Sequence, residues 1–373
     1  MTAWRTIRVT YYADQDPLIS EAVAPLFDRV RQWVDGAYFV RHWRQGPHLR
    51  LHFRCTAETF SDVIEPKADR IIGDYLRRHP STADIDRGRA AVLHRRLAED
   101  EHEIGPLTPW IPDNTIRRTN YDDRKHVLGA AEGQMLEEFF IRTTGLAFDM
   151  TSAIVDGRSR ARMAFDLMVA TAHVLSGAGI ERGFVSLRSH SEGFLTYSPE
   201  GKGLRDQWAQ RYTEQSPTLR RRLREVLAAV GSGHDADIPF VHRWLRDLGA
   251  LRNMAEELIA QGRMTLSAAE TAGTARDASA TDGGAAYHDW MVLTQDSRTS
   301  VESAEWFLAY RWVLNCTYLH LTRIGLAPVN RYLLCTWVAD AVEEEFGVRA
   351  FDVAQRLLRS AQQPPVPTPK GMP

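Results

Sequence analysis

Residues 38–54, YFVRHWRQGPHLRLHFR, constrain this chain more than any other stretch. Two runs, 37–42 and 48–54, are rich in aromatic and aliphatic residues, and a Trp-Arg-Gln-Gly-Pro turn separates them, so they are expected to pair as a hairpin. Side chains alternate faces along a strand. Leu49, Leu51 and Phe53 then share one face, and His48, Arg50, His52 and Arg54 share the other. Guanidinium groups grip carboxylates through two parallel hydrogen bonds, and imidazoles exchange protons near neutral pH. The stripe therefore suits an anionic or peptide ligand. A half-exposed sheet with a solvated polar face gives the same pattern.

The hairpin sits in a front portion of mixed character, residues 1–120. A strand is expected over 5–12, a helix over 17–33 and another over 60–77, each from its periodicity. Residues 121–361 read as mainly helical, with helices over 125–144, 158–175, 204–212, 217–230, 241–261, 300–325 and 330–346. The fold class is therefore α+β. Residues 264–286 are small, polar and Gly-rich and read as a disordered loop, and the Pro-rich tail 362–373 reads as extended.

Composition excludes several classes of function. The formal net charge of −2 argues against bulk electrostatic binding of nucleic acid. Cys55, Cys316 and Cys335 form no CxxC pair, and the histidines show no HExxH, so neither a zinc site nor any other metal is expected. No Gly-rich phosphate loop follows a strand, so no nucleotide or other cofactor is expected either. No run of about 20 apolar residues and no secretory signal is present, which points to a cytoplasmic protein without a membrane span.

The hairpin resembles the hallmark strand pair of the C-terminal, glutamate-eliminating domain of lanthipeptide dehydratases. That family shows an aromatic pair, an Arg, an aromatic, and then Gly-Pro-His-apolar-Arg. The matching residues are Tyr38, Phe39, Arg41, Trp43, Gly46, Pro47, His48 and Arg50. Residues 121–129 and 317–331 fall where the family has its later motifs. The departures are informative. His52 replaces a family Arg, and His126-Val127-Leu128-Gly129 replaces Arg-Tyr-Gly-Gly. Aligning the family's Asn-Arg-Leu with Thr322-Arg323-Ile324 puts Tyr318 at its histidine, whereas aligning on His320 loses Asn-Arg.

Tyr318 and His320 point about 200° apart on a helix, so only one can face a given pocket. Tyr318 shares the more polar side with Arg311 and Asn315, and a phenol can donate a proton. A second polar segment, residues 186–194, contains Ser189, His190 and Glu192 and reads as a site loop. Tyr318, His190 and Arg50 are the expected catalytic groups. Arg41, His48, His52, Ser189, Glu192, Asn315 and His320 are the expected substrate-binding groups.

The resemblance implies maturation of a ribosomal precursor peptide that carries a leader. Two reactions fit. One is the pyridine synthase reaction, a formal four-plus-two cycloaddition of two dehydroalanines with loss of water and leader. The other is elimination of glutamate from glutamylated Ser or Thr. Loss of the family Arg at His52 favours the first. A separate dehydratase subunit is an implied partner, and a non-catalytic leader-binding role is a third reading.

Overall fold

The computed structural model describes residues 1–124, 127–232, 238–264 and 305–362. His126, the expected loop beyond Met264 and the tail from residue 363 lie outside the described residues.

The front portion holds a four-stranded antiparallel sheet of β1 (Ala3–Thr10), β2 (Gly36–His42), β3 (His48–Cys55) and β4 (Thr115–Thr119), ordered β2-β3-β1-β4. The hairpin forms as expected, with Tyr38 opposite His52 and His42 opposite His48. β1 separates β3 from β4 and places Arg8 between Arg50 and Arg117. β4 is short and carries Arg117 and Arg118 on its only five residues, which hid it from an alternation test. The helical run α1 begins at Gln15–Leu18, widens at Ile19–Val23 and ends in Ala24–Val30. Two more helices follow the hairpin, α2 (Glu65–Arg78) and α3 (Arg87–Asp100).

The rest of the described residues are mainly helical: α4 (Ala130–Val155), α5 (Arg160–Ala170), α6 (Ile180–Tyr197), α7 (Gly201–Ser232), α8 (Val241–Ala260), α9 (Glu305–Arg323), α10 (Pro328–Phe346) and α11 (Ala350–Gln362). The chain is thus α+β. Pro217 lies inside α7, so one helix replaces the two expected over 204–230. α6 packs on α10 and α7, while α9 packs on α8.

The apolar face of the sheet behaves as its alternation dictates. Ile7, Val9, Phe39, Leu49, Leu51 and Phe53 are buried, and Phe53 and Phe39 pack on Phe27 of α1 and Phe148 of α4. The opposite face is not solvated. His48 and His52 are 0% and 4% exposed. The ring of Tyr121, in the link from β4 to α4, covers His52 and stacks on Trp4.

An ion-paired carboxylate and a buried guanidinium tie the sheet to the helices. Asp16 of α1 takes Arg41 from β2 and Arg160 from α5. Arg323, at the end of α9, is 1% exposed and has no carboxylate partner among the described residues. Its guanidinium donates to the Phe140 carbonyl and the Thr143 hydroxyl of α4 and lies over the Phe39 and Phe140 rings. Burial lowers its pKa to about 9.

Candidate active site

The expected site loop is helix α6. Ile180, Phe184, Leu187, Ser191 and Leu195 recur at helical spacing and are buried, a stripe that the intervening polar residues obscured. Gly183 lets α6 approach its neighbour. A Cβ there would sit 1.9 Å from the Ala172 carbonyl oxygen, and the Gly183 carbonyl accepts a 2.8 Å hydrogen bond from Tyr310.

α6 and α9 bring two of the expected catalytic residues together. Tyr318 Oη lies 2.7 Å from His190 Nδ1. Burial pulls the His190 imidazole down to about 4, assisted by the positive charges of Arg311 and Arg331. At neutral pH it is therefore uncharged, with one ring nitrogen donating and the other accepting. Burial, and secondarily Cys335, pushes the Tyr318 phenol well above its ordinary value, and Cys335 Sγ lies 3.5 Å from the hydroxyl. A neutral imidazole bonded to a protonated phenol can pass a proton from one end of the pair to the other.

Sequence reasoning did not single out the groups framing this pair. The Arg331 guanidinium, from the first turns of α10, is sandwiched between the Tyr318 and Tyr332 rings at 4.8 Å from each centroid. Tyr332 in turn stacks on Phe194, one turn beyond His190, at 4.3 Å. Asn315 and Ser189 are half-buried beside Tyr318 and His190 on their respective helices. Arg331 stood at the end of the last matching motif, which was the signal available for it.

His320 faces elsewhere and is corrected to a core residue. It is fully buried, 4.8 Å from the Trp244 ring of α8, with Nε2 3.3 Å from Met150 Sδ and Nδ1 3.3 Å from Arg323. Glu192 is likewise structural. Arg205 of α7 grips it at both oxygens, at 3.0 and 2.7 Å, because the helix turns it away from His190.

The sheet residues form a second, separate cluster. Arg50 Nε donates to His48 Nε2 at 3.3 Å, and its Nη1 lies 3.8 Å from Asp122, so Arg50 contacts neither Tyr318 nor His190. His48 Nδ1 bonds the Gly46 carbonyl at 2.9 Å. His52 is enclosed by Tyr38 and Tyr121 and bonded to Thr6, and burial lowers it to about 3. Arg41 lies on the opposite, apolar face of the sheet, opposite Leu49, where Asp16 and the Arg323 carbonyl hold it.

The centre of this second cluster is Glu103, which sequence reasoning missed because its surroundings carry no pattern. Its side chain is 1% exposed. Oε1 lies 2.6 Å from Arg124 and 3.2 Å from His42, while Oε2 lies 3.3 Å from Arg44 without a well-directed hydrogen bond. Burial opposes the charge, but His42 and the nearby arginines win and hold the carboxyl near 2. The two clusters adjoin: Glu101, which accepts a 3.0 Å bond from Trp43 at the hairpin turn, is electrostatically coupled to both Arg124 and Arg331. Among the described residues no group of three or more His, Cys, Asp or Glu side chains could hold a metal ion. No helix is long and apolar enough to cross a membrane among those residues.

The family model described as lantibiotic biosynthesis dehydratase C-term matches residues 4–342. The solved structure of a pyridine synthase, TbtD, from thiomuracin biosynthesis is 35% identical, with a TM-score of 0.77, over 92% of this chain and 99% of that one. The crystal structure of TsrL shares the fold at 23% identity and a TM-score of 0.69, over 98% of this chain and 100% of that one. No curated protein sequence matches.

Proposed function

Because the chain belongs to the lantibiotic biosynthesis dehydratase C-terminal family, we propose that it is a peptide-modifying enzyme that closes a pyridine from two dehydroalanines of a ribosomal precursor peptide. The observation that carries this reading is the Tyr318–His190 pair, 2.7 Å apart. The reaction begins with an amide of one dehydroalanine. Its N–H proton moves to its carbonyl oxygen, giving the iminol form of a 2-azadiene. Two carbon–carbon bonds then form to the second dehydroalanine. Loss of water and of the leader leaves the aromatic ring. The tautomerisation is a proton shift, and the two expulsions break a C–O and a C–N bond with a proton removed from the ring and one delivered to each leaving group; a neutral imidazole hydrogen-bonded to a phenol supplies a base at one end and an acid at the other.

The sheet cluster favours this reaction over glutamate elimination. Elimination needs guanidinium groups to hold the departing glutamate's carboxylates. Here Glu103, a resident carboxylate, engages Arg44 and Arg124, and Arg50 is spent on His48 and Asp122. In this reading the precursor leader binds the front α/β portion, and a separate dehydratase supplies the dehydroalanines within the cytoplasm. Arg50 then serves the peptide-binding surface, with buried His48 positioning it. The 35% identity to a pyridine synthase supports the same branch.

The test uses the purified chain and two synthetic precursors, read by mass spectrometry. A precursor with leader and two dehydroalanines is expected to lose water and leader together. Release of glutamate from a glutamylated precursor, with no conversion of the first, would reject the proposal in favour of elimination.

A further inference from the structure

Arg331 carries a positive charge into the candidate site without a carboxylate in direct contact among the described residues, Glu101 acting on it only from a distance. No ion pair within 4 Å involves it among the described residues, its Nε is buried without a hydrogen-bond partner, and its plane is fixed between two tyrosine rings. A buried donor left unpaired is costly, so a fold retains one where something else compensates. The ring sandwich supplies part of that compensation and also sets the orientation of the guanidinium. The guanidinium carbon lies over the Tyr318 ring, 4.8 Å from its centroid. Arg331 is half-buried, and its charge acts on His190, Tyr318 and Cys335.

We propose that Arg331 is a further catalytic residue, whose N–H edge holds the amide oxygen that becomes the iminol hydroxyl; this rests on the pyridine-forming reading. When His190 removes the amide N–H proton, negative charge collects on that oxygen. Arg331 stabilises it as the iminolate, and Tyr318 then delivers its proton to the same oxygen. His190, having taken the substrate proton on its other ring nitrogen, passes its Nδ1 proton to Tyr318, so the proton count of the pair is restored with the opposite imidazole tautomer, and the substrate gains and loses one proton. The same oxygen later departs as water after a second protonation, again beside the guanidinium. The rigid sandwich means that no reorganisation is needed as charge develops, the condition under which such donors act most strongly.

Arg331→Ala and Arg331→Lys would be assayed with the precursor that bears two dehydroalanines, with wild-type protein alongside and circular dichroism to confirm folding. Arg331→Ala is expected to lower kcat by about 10²–10³-fold with KM changed little, as for a lost oxyanion donor. Added guanidinium chloride at low millimolar concentration is expected to restore part of that loss. Arg331→Lys keeps the cation over the rings but not the planar fork, and is expected to remain well below wild type. A kcat for Arg331→Ala close to wild type overturns the assignment while leaving the pyridine reading intact, as does a loss that guanidinium cannot recover. Absence of turnover by the wild type overturns both.

Discussion

Tyr318 Oη and His190 Nδ1 meet at 2.7 Å across 128 residues of chain. Neither helix bearing them shows this partnership by itself. It arises because α6 and α9 both line the space at the start of α10, with Arg331 stacked on the tyrosine ring.

Removing the phenol hydroxyl is therefore the most direct probe of the pair. Tyr318→Phe keeps the ring under Arg331 and deletes one hydrogen bond. Turnover of the doubly dehydrated precursor is expected to fall by about 10²–10⁴-fold, with stability changed by only about 1 kcal/mol. Steady-state kinetics together with urea unfolding separates the two effects. Wild-type turnover in a folded Tyr318→Phe protein would remove the hydroxyl from the mechanism.

His320, two residues further on, is expected to behave oppositely. Its ring fills space between Trp244 and Met150 and bonds to Arg323. His320→Ala should cost about 2–4 kcal/mol in unfolding free energy through the cavity and the stranded guanidinium. The protein that remains folded should retain kcat. A large kcat loss without destabilisation would return His320 to the active site.

Glu103 provides a test of the sheet cluster. Glu103→Ala leaves Arg44, Arg124 and His42 around an empty carboxylate position, and should destabilise by about 3–5 kcal/mol, the usual result of breaking a buried pair from one side. Free glutamate or acetate should raise the melting temperature of this variant and leave the wild type unchanged, because binding to the folded state alone stabilises it. Equal responses from the two proteins would show that Glu103 occupies no carboxylate site.

Acid should weaken the fold earlier than carboxylate chemistry alone would predict. Burial lowers His190 and His42 to about 4 and His52 to about 3, against an ordinary value near 6.5 in the unfolded chain. Between about pH 6.5 and 4 the unfolded chain takes up protons that the folded chain refuses, so stability rises with pH across that window. Above it the contribution is complete. Urea midpoints measured from pH 8 to 4 should fall steadily below 6.5. A flat profile down to pH 5 would contradict the buried, uncharged histidines.

The α+β class, the hairpin, its apolar face and most helices were legible in the sequence because periodicity reports burial directly. Two kinds of feature were not. The segment around His190 was read as a loop because Ser, Arg, His and Glu dominate it, although Phe184, Leu187 and Leu195 already mark a buried stripe. In a helix packed between other helices, polar residues find partners such as Arg205 for Glu192, so polarity ceases to signal exposure. Likewise the sheet's basic face looked like one continuous site. Tyr121 covers part of it and Glu103 neutralises part of it, and both arrive from distant, unpatterned chain. That Tyr318 and His320 face different ways was legible because helix geometry alone separates the two side chains.

Arg323 has a consequence for how this protein can be taken apart. Its charge is sheltered by Phe39 from the sheet and by Phe140 and Thr143 from α4, and its own carbonyl receives Arg41. Tyr318 lies five residues earlier on the same helix. The anchor for the helix that bears the phenol thus includes a residue near the start of the chain, so the two portions are not interchangeable modules. A chimera that grafts the front α/β portion of one relative onto the helical portion of another must carry Phe39, Arg41 and Asp16 with the sheet and Arg160 and Arg323 with the helices. Otherwise it strands a guanidinium in a dry joint and shifts the phenol with it.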